Sequence, residues 1–224
     1  MPGKLFVVAT PIGNLSDVSA RAKETLSKVD VVVCEDTRVT SKLLASLGIR
    51  VSTMSYHQHS GADKTRRVID LLSDGKNLAL VTDAGTPAIS DPGGKLIEEL
   101  VRRFDDLVIV PIPGACALVA ALSIAGVPAD EFLFLGFPPN KNGRQAYFNR
   151  VAQVSSTVVF YESTHRILKT LGELARRMPE RELVVCRELT KLHETIYRGT
   201  AAQVTCALES SSIKGEFVIV LSPI

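Results

Sequence analysis

The feature that most constrains this chain is the rhythm of its first half. Short, unbroken runs of apolar and β-branched residues alternate with stretches of helical spacing. Residues 5–9, 31–34, 78–82 and 107–111 are too short for helices and are bounded by turn formers. Strands apolar on both faces need cover on both faces, so the pattern predicts a parallel sheet between two helical layers. Val18, Ala22, Leu26 and Val29 form one helical stripe, with Ser16 or Asp17 as N-cap. Residues 40–47 read as a helix stopped by Gly48, residues 63–73 as one stopped by Gly75, and residues 96–104 as a third.

Pro111-Ile112-Pro113-Gly114 breaks this rhythm and predicts a boundary between domains at residues 1–113 and 114–224. Beyond it, helices are expected at 115–125, 145–154, 165–177 and 200–209, the last capped by Thr200. Strands are expected at 132–137, 157–161, 183–187, 194–198 and 217–221. The runs at 183–187 and 194–198 are separated only by a short polar loop, which predicts antiparallel pairing and a mixed second sheet. A length of 224 residues suits two α/β domains of about 110 residues each.

Composition removes several classes. Charged residues at 22% and 26 Gly plus Pro are ordinary for a globular protein and exclude disorder or a collagen-like array. No apolar run reaches the ~18 residues of a membrane span. The start, MPGKLFVV, reads as a strand rather than a signal peptide, so a cytoplasmic protein is expected. Cys34, Cys116, Cys186 and Cys206 form no CxxC pair, which argues for reduced thiols and against a zinc knuckle or any other metal site. Net charge is +2, but residues 141–198 hold eleven Lys/Arg against six Asp/Glu. That basic stretch suits a polyanion, or else a solvated helix face at Arg176, Arg177 and Arg181.

The common nucleotide and hydrolase motifs are absent: no GxGxxG after the first strand, no GxxxxGK[ST], no HExxH and no GxSxG. The informative residues instead follow the strands, where parallel α/β sheets bind ligands. ATPIGNL contains a tight turn, and EDTR crowds Glu35, Asp36 and Arg38 at a strand end. TDAGTPAISDPG, residues 82–93, is a long loop whose small residues expose main chain and whose Asp83 can accept from a hydroxyl or an ammonium. PIPG leads into a helix of small residues. In the second half, FYESTHR sets Glu162, His165 and Arg166 after a strand, RELTK follows the next, and GFPPNKNGR carries Lys141 and Arg144.

Taken in order, ATPIGNL, EDTR, DAGTPAISDPG, PIPG, GFPPNKNGR, FYESTHR, RELTK and KGEFV resemble the ribosomal small-subunit methyltransferase I group. These are cytidine 2′-O-methyltransferases of the tetrapyrrole-methylase superfamily, and the resemblance runs from about Leu5 to Leu221. It implies S-adenosylmethionine bound in a cleft between two α/β domains. Pro11, Asp83, Ala84, Gly85, Ile89, Ser90, Ala115, Cys116 and Tyr161 fall where that superfamily lines its cofactor pocket. It also implies a homodimer, acting on ribosomal RNA of the small subunit. Departures are Cys116 where Ser is usual, Thr164 where Pro is usual, Pro138 where Leu is usual, and Gly61-Ala62-Asp63 after Tyr56-His57-Gln58-His59. Many members of the group continue past the KGEFV strand into a small helical module, and this sequence ends at Ile224.

Methyl transfer from a sulfonium to a hydroxyl is an in-line displacement that needs alignment and help with one proton. Glu162 and His165 are the candidate bases, with Glu188 behind them. Lys191 or Arg166 can lower the hydroxyl pKa or hold a phosphate, and Arg38, Lys141 and Arg144 are expected on the RNA backbone. Two other readings remain at this point: a relative that methylates a small tetrapyrrole, and a cofactor-sensing or RNA-binding module without catalysis. A nucleotide hydrolase would need Glu35, Asp36, Asp83 and Asp91 to gather around a metal.

Overall fold

The computed structural model describes residues 1–57 and 61–224, so Gln58 and His59 of the YHQH stretch lie outside the described residues. The chain forms two compact units, Met1–Cys116 and Ala117–Ile224.

In the first unit, β1 (Leu5–Val8), β2 (Val31–Cys34), β3 (Ser52–Ser55), β4 (Leu78–Leu80) and β5 (Ile109–Ile112) form one sheet in the order β3-β2-β4-β1-β5. Every pairing is parallel, as the unbroken apolar runs require. The helices are α1 (Ala20–Lys28), α2 (Thr37–Ser46), α3 (Ala62–Ser73) and α4 (Gly93–Arg103). On one face Val8, Val32 and Ala79 pack with Ala22 and Leu26 of α1 and Leu44 of α2. On the other, Leu5, Val33 and Leu78 pack with Val68 and Leu72 of α3 and Leu96 and Leu100 of α4.

Two local expectations are corrected, and one strand carries no sequence signal. The cap of α1 is Ser19, whose hydroxyl accepts from the Ala22 amide at 3.1 Å; Ser16 and Asp17 belong to a 3-10 turn capped by Asn14. Helix α2 begins before residue 40, because Asp36 caps it by accepting from the Arg38 amide at 2.8 Å. Strand β3, Ser-Thr-Met-Ser, had no apolar signal; as an edge strand with a single neighbour it needs less apolar surface. The opposite edge, β5, contains Pro111, which stands opposite Val7 and whose carbonyl accepts from Arg21 Nη2 at 2.9 Å.

The second unit is a mixed sheet in the order β6-β7-β10-β8-β9. Its strands are β6 (Phe132–Phe134), β7 (Thr157–Ser163), β8 (Glu182–Arg187), β9 (Thr195–Thr200) and β10 (Glu216–Leu221). Only β6 and β7 run parallel; β8 and β9 pair antiparallel, as their short connection predicts. Helices α6 (Arg144–Gln153), α7 (Ile167–Arg177) and α8 (Ala201–Glu209) cover one face through Phe148, Ile167, Leu171, Val204 and Leu208. Helix α5 (Ala117–Ala125) starts two residues later than expected and lies against β7 and β10. Thr200 caps α8 in a reciprocal box with Gln203. Arg181, expected from the sequence on a solvated helix face, is instead buried, where it ties the ends of this unit together by donating to the carbonyls of Ser222, Val151, Val154 and Ser156.

Candidate functional site

The loops of the first unit are laced together by main-chain contacts. Thr10 after β1 and Gly85 after β4 form a two-way bridge, with N–O distances of 2.9 and 3.1 Å. The Thr10 hydroxyl adds a bond to the Thr82 carbonyl at 3.1 Å. Gly114 after β5 lies so close to Ala9 that a Cβ there would fall 2.9 Å from the Ala9 Cβ. The Thr86 hydroxyl donates to the Ala115 carbonyl at 3.0 Å. From β2, the Asp36 amide donates to Asp83 Oδ1 at 3.2 Å. The loops after four of the five parallel strands therefore converge, at the sheet end where ligands bind.

Within loop 82–93, Ala88 and Ser90 hold left-handed φ angles of 71° and 65°. Non-glycine residues in that region cost energy and cluster at functional sites. Asp91 supports the strained turn: its Oδ1 accepts from the amides of Ala88 at 3.0 Å and Gly93 at 2.6 Å. Its Oδ2 is buried with no hydrogen-bond partner among the described residues. Asp83, Ala84, Ile89 and Ser90 are exposed at the loop surface, while Pro11, Ala115 and Cys116 are half-buried and Gly85 is buried.

This corner is electronegative. Desolvation raises the Asp83 carboxyl above its ordinary value, and the charge of Asp36 adds to the shift. Glu35 is raised by desolvation and then by Asp83 and Asp91. Asp36 moves the other way, to about 2, because the Arg38 guanidinium grips its carboxylate, with Nη2 2.6 Å from Oδ2. Arg38 is 86% exposed but its charge is already matched by Asp36. Among the described residues no group of acids, histidines or cysteines is arranged to hold a metal.

The second unit holds its loops with side-chain charges. Glu162, 1% exposed at the end of β7, accepts from the Ser163 amide at 2.8 Å and the Thr170 hydroxyl at 2.6 Å, and pairs with Arg166 at 2.9 Å. Thr170 in turn accepts from Arg144 Nη2 at 2.7 Å. Arg144 also donates to the Pro139 carbonyl and stacks on Phe148, 4.9 Å from the ring centre. Arg166 also donates to the Pro138 carbonyl, and its guanidinium lies over Phe137. Tyr161 touches Phe134 and Phe137, and its hydroxyl accepts from the Leu118 amide in the first turn of α5. Lys191 is held between Glu188 at 2.9 Å and Glu216 at 2.8 Å.

Two sequence expectations are thereby corrected. Arg144 is not a solvent-facing cation on a flexible loop; it is 5% exposed and occupied internally, because it opens α6 beside Thr170 and Phe148. Glu162 is not open to a substrate proton, because it is buried and both its oxygens already accept, from Ser163, Thr170 and Arg166. Lys141 and His165 are exposed. Thr170 escaped the sequence reading, although a polar residue within the stripe Ile167, Leu171, Leu174 was a usable signal. Thr164, at the position where the resembled pattern has proline, bonds to Gly215 from the turn after β7.

The family model for Tetrapyrrole (Corrin/Porphyrin) Methylases matches residues 4–205. Among curated proteins, a ribosomal RNA small subunit methyltransferase I of Neisseria meningitidis serogroup A is 44% identical over 99% of this chain and 76% of its own length. One of Synechocystis is 45% identical over 98% and 79%. One of Thermotoga maritima is 38% identical over 98% of both chains. Of solved structures, a cobalt precorrin-4 methyltransferase of cobalamin biosynthesis aligns with TM-score 0.72 at 19% identity, covering 98% of this chain and 94% of that one. A uroporphyrin-III C-methyltransferase of Thermus thermophilus, complexed with S-adenosyl homocysteine, aligns at 0.68 and 19% identity, covering 98% and 97%. A diphthine synthase aligns at 0.71 and 14% identity, covering 98% and 90%. At these identities the structural matches speak to fold alone.

Proposed function

The chain belongs to the tetrapyrrole (corrin/porphyrin) methylase family, and from that premise we propose that it is an S-adenosylmethionine-dependent methyltransferase whose acceptor is the ribose 2′-hydroxyl of a cytidine in small-subunit (16S) ribosomal RNA. The observation that carries this reading is the near full-length similarity, at 38–45% identity, to proteins named ribosomal RNA small subunit methyltransferase I. We extend it to a homodimer working in the cytoplasm; no helix among the described residues is long and apolar enough to cross a membrane.

The chemistry of the first unit's loops fits the cofactor. The small side chains of Ala84 and Ala115 leave room for a ligand beside the loop, and Glu35 and Asp83 give a negative potential that favours a sulfonium and an ammonium. Asp91 keeps one carboxylate oxygen unused at the same loop. We assign Pro11, Asp83, Ala84, Gly85, Ile89, Ser90, Ala115 and Cys116 of the first unit to this role. S-adenosylmethionine, when bound, supplies an electrophilic methyl group on a positively charged sulfur.

The remaining tasks fall to side chains. His165, whose imidazole is exposed at the turn after β7, takes the hydroxyl proton. Lys191 stabilises the negative charge that grows on the 2′-oxygen as its proton leaves. Arg38 and Lys141 contact phosphates. Glu162, Arg144 and Arg166 fix the loops that carry them.

Calorimetry with S-adenosylmethionine, followed by small ribosomal subunits and labelled methyl donor, tests the reading. Binding together with label on a ribose of 16S RNA is the expected result. Label on a base or on protein would replace the acceptor, and absence of cofactor binding would overturn the reading altogether.

A further inference from the structure

We propose that Thr164 is a positioning residue: its hydroxyl clamps Gly215 and so holds the Lys191 ammonium at the shared end of β7, β8 and β10. The catalytic half of this inference rests on the methyl transfer proposed above. The clamp itself does not.

Strand β10 pairs antiparallel with both β7 and β8, setting Glu216 opposite Ser163 and Phe217 opposite Arg187. The turn after β7, the loop after β8 and the loop entering β10 therefore meet at one sheet end. There the Thr164 hydroxyl donates to the Gly215 carbonyl at 2.6 Å and accepts from the Gly215 amide at 2.7 Å. A hydroxyl can do both at once, and of the aliphatic side chains only serine shares that capacity with threonine.

Gly215 passes the constraint on. Its φ is +130°, and a Cβ there would fall 2.6 Å from Glu188 Cγ, so its main chain packs directly on the Glu188 side chain. Glu188 has a left-handed φ of 53°, a conformation that persists only where its surroundings over-determine it. Its amide donates to the Glu216 carbonyl, and its Oε1 accepts from the Glu216 amide and from Lys191 Nζ, all at 2.9 Å. Glu216 Oε2 holds Lys191 Nζ from the other side at 2.8 Å. Thr164 is thus three contacts from the ammonium, and every link is a close one. Removing the hydroxyl leaves two main-chain groups of Gly215 unpaired and frees the surface against which Glu188 is pressed.

The test compares Thr164→Val and Thr164→Ser with the parent full-length protein. The first readout needs no activity. Limited acylation of Lys191 by acetic anhydride, followed by peptide mass spectrometry, reports how firmly the amine is held in its pair. Thr164→Val is expected to label at least about threefold faster, because local opening exposes the amine, and Thr164→Ser at the parent rate. Equal labelling of all three overturns the clamp.

The second readout is methyl transfer at saturating cofactor and small subunits. Thr164→Val is expected to lower kcat about tenfold, since a small misplacement of a reacting group costs up to 100-fold. Its cofactor Kd stays within about twofold, as Thr164 lies outside the cofactor loops. A Thr164→Val/Lys191→Met double variant is expected to turn over no more slowly than Lys191→Met alone. A merely structural effect would add to it instead. Faster labelling with unchanged kcat overturns the positioning role. If the parent protein transfers no methyl group, the functional reading fails, and the labelling result still decides the clamp.

Discussion

In Met1–Cys116 the loops that approach a ligand are held by backbone: the Thr10–Gly85 bridge, the contact of Gly114 with Ala9, and an Asp91 carboxylate that caps its own turn. In Ala117–Ile224 the corresponding loops are held by ionised side chains, Arg144–Thr170–Glu162–Arg166 on one side and Glu188–Lys191–Glu216 on the other. The difference follows from sheet type. Parallel strands send all their following loops to one sheet end, where main chains can lace together. In the second sheet β10 runs antiparallel to β7 and β8, so loops leaving strands meet a loop entering one, and long side chains span between them. A backbone cradle suits recognition of a small, constant ligand. Ionised side chains suit a polyanion and a proton.

The contrast is broken most directly at Glu162. Glu162→Ala leaves Arg166 without its carboxylate and Thr170, which Arg144 bonds, without its acceptor, and is expected to cost about 3–5 kcal/mol in urea denaturation, the usual result of removing one partner from a buried pair. A loss below 1 kcal/mol would mean that the second unit does not depend on its charges.

Next in size is a crossed pair of functional variants. Lys191→Met is expected to lower kcat about 100-fold or more with cofactor Kd unchanged. Asp83→Ala is expected to weaken cofactor binding about 30-fold, the size of one charged hydrogen bond, with the RNA affinity retained. If both variants lose cofactor affinity alike, the division of labour between the units is wrong.

A smaller effect separates two basic residues of one loop. Lys141→Ala is expected to reduce the slope of log affinity for RNA against log salt by about one. Arg144→Met is expected to lower stability and leave that slope unchanged, since the guanidinium never faces solvent. A changed slope for Arg144→Met would return it to the RNA surface.

The smallest effect concerns pH. Asp83 and Glu35 are raised in the fold above their ordinary values of 3.8 and 4.5, so the folded state holds protons that the unfolded state releases. Their contribution is most favourable below those values and declines as pH rises through the raised ones. Asp83→Asn combined with Glu35→Gln removes the decline. Thermal unfolding should place the double variant about 1 °C above the parent near neutral pH, solvent screening keeping the gain small. The two curves should merge below about pH 4. A constant offset at every pH would trace the gain to packing instead.

Much of this could be read without coordinates, for physical reasons that also explain the misses. Strands β1, β2 and β4 announce themselves because both faces are buried, whereas β3 needs only one neighbour and is free to be Ser-Thr-Met-Ser. Loop 82–93 is legible because nine of its twelve residues are Asp, Pro, Gly or hydroxyl residues, which resist helix and strand alike. Side-chain burial is not legible in that way. Arg144 looked solvated because it follows Gly143 in a polar loop, and the residue that draws it inward, Thr170, lies 26 positions later. Glu162 looked reactive for the same reason: its donors come from α7 and from its own turn, and spacing alone does not say that both oxygens are filled.

Pro111 carries a consequence of another kind. An edge strand offers unpaired amides and carbonyls to any chain that drifts past, the usual seed of aggregation. In β5 the central position of that edge has no amide to offer, because it is proline, and its carbonyl is already taken by Arg21. At this edge, addition of another strand is thus opposed by one covalent ring and one hydrogen bond.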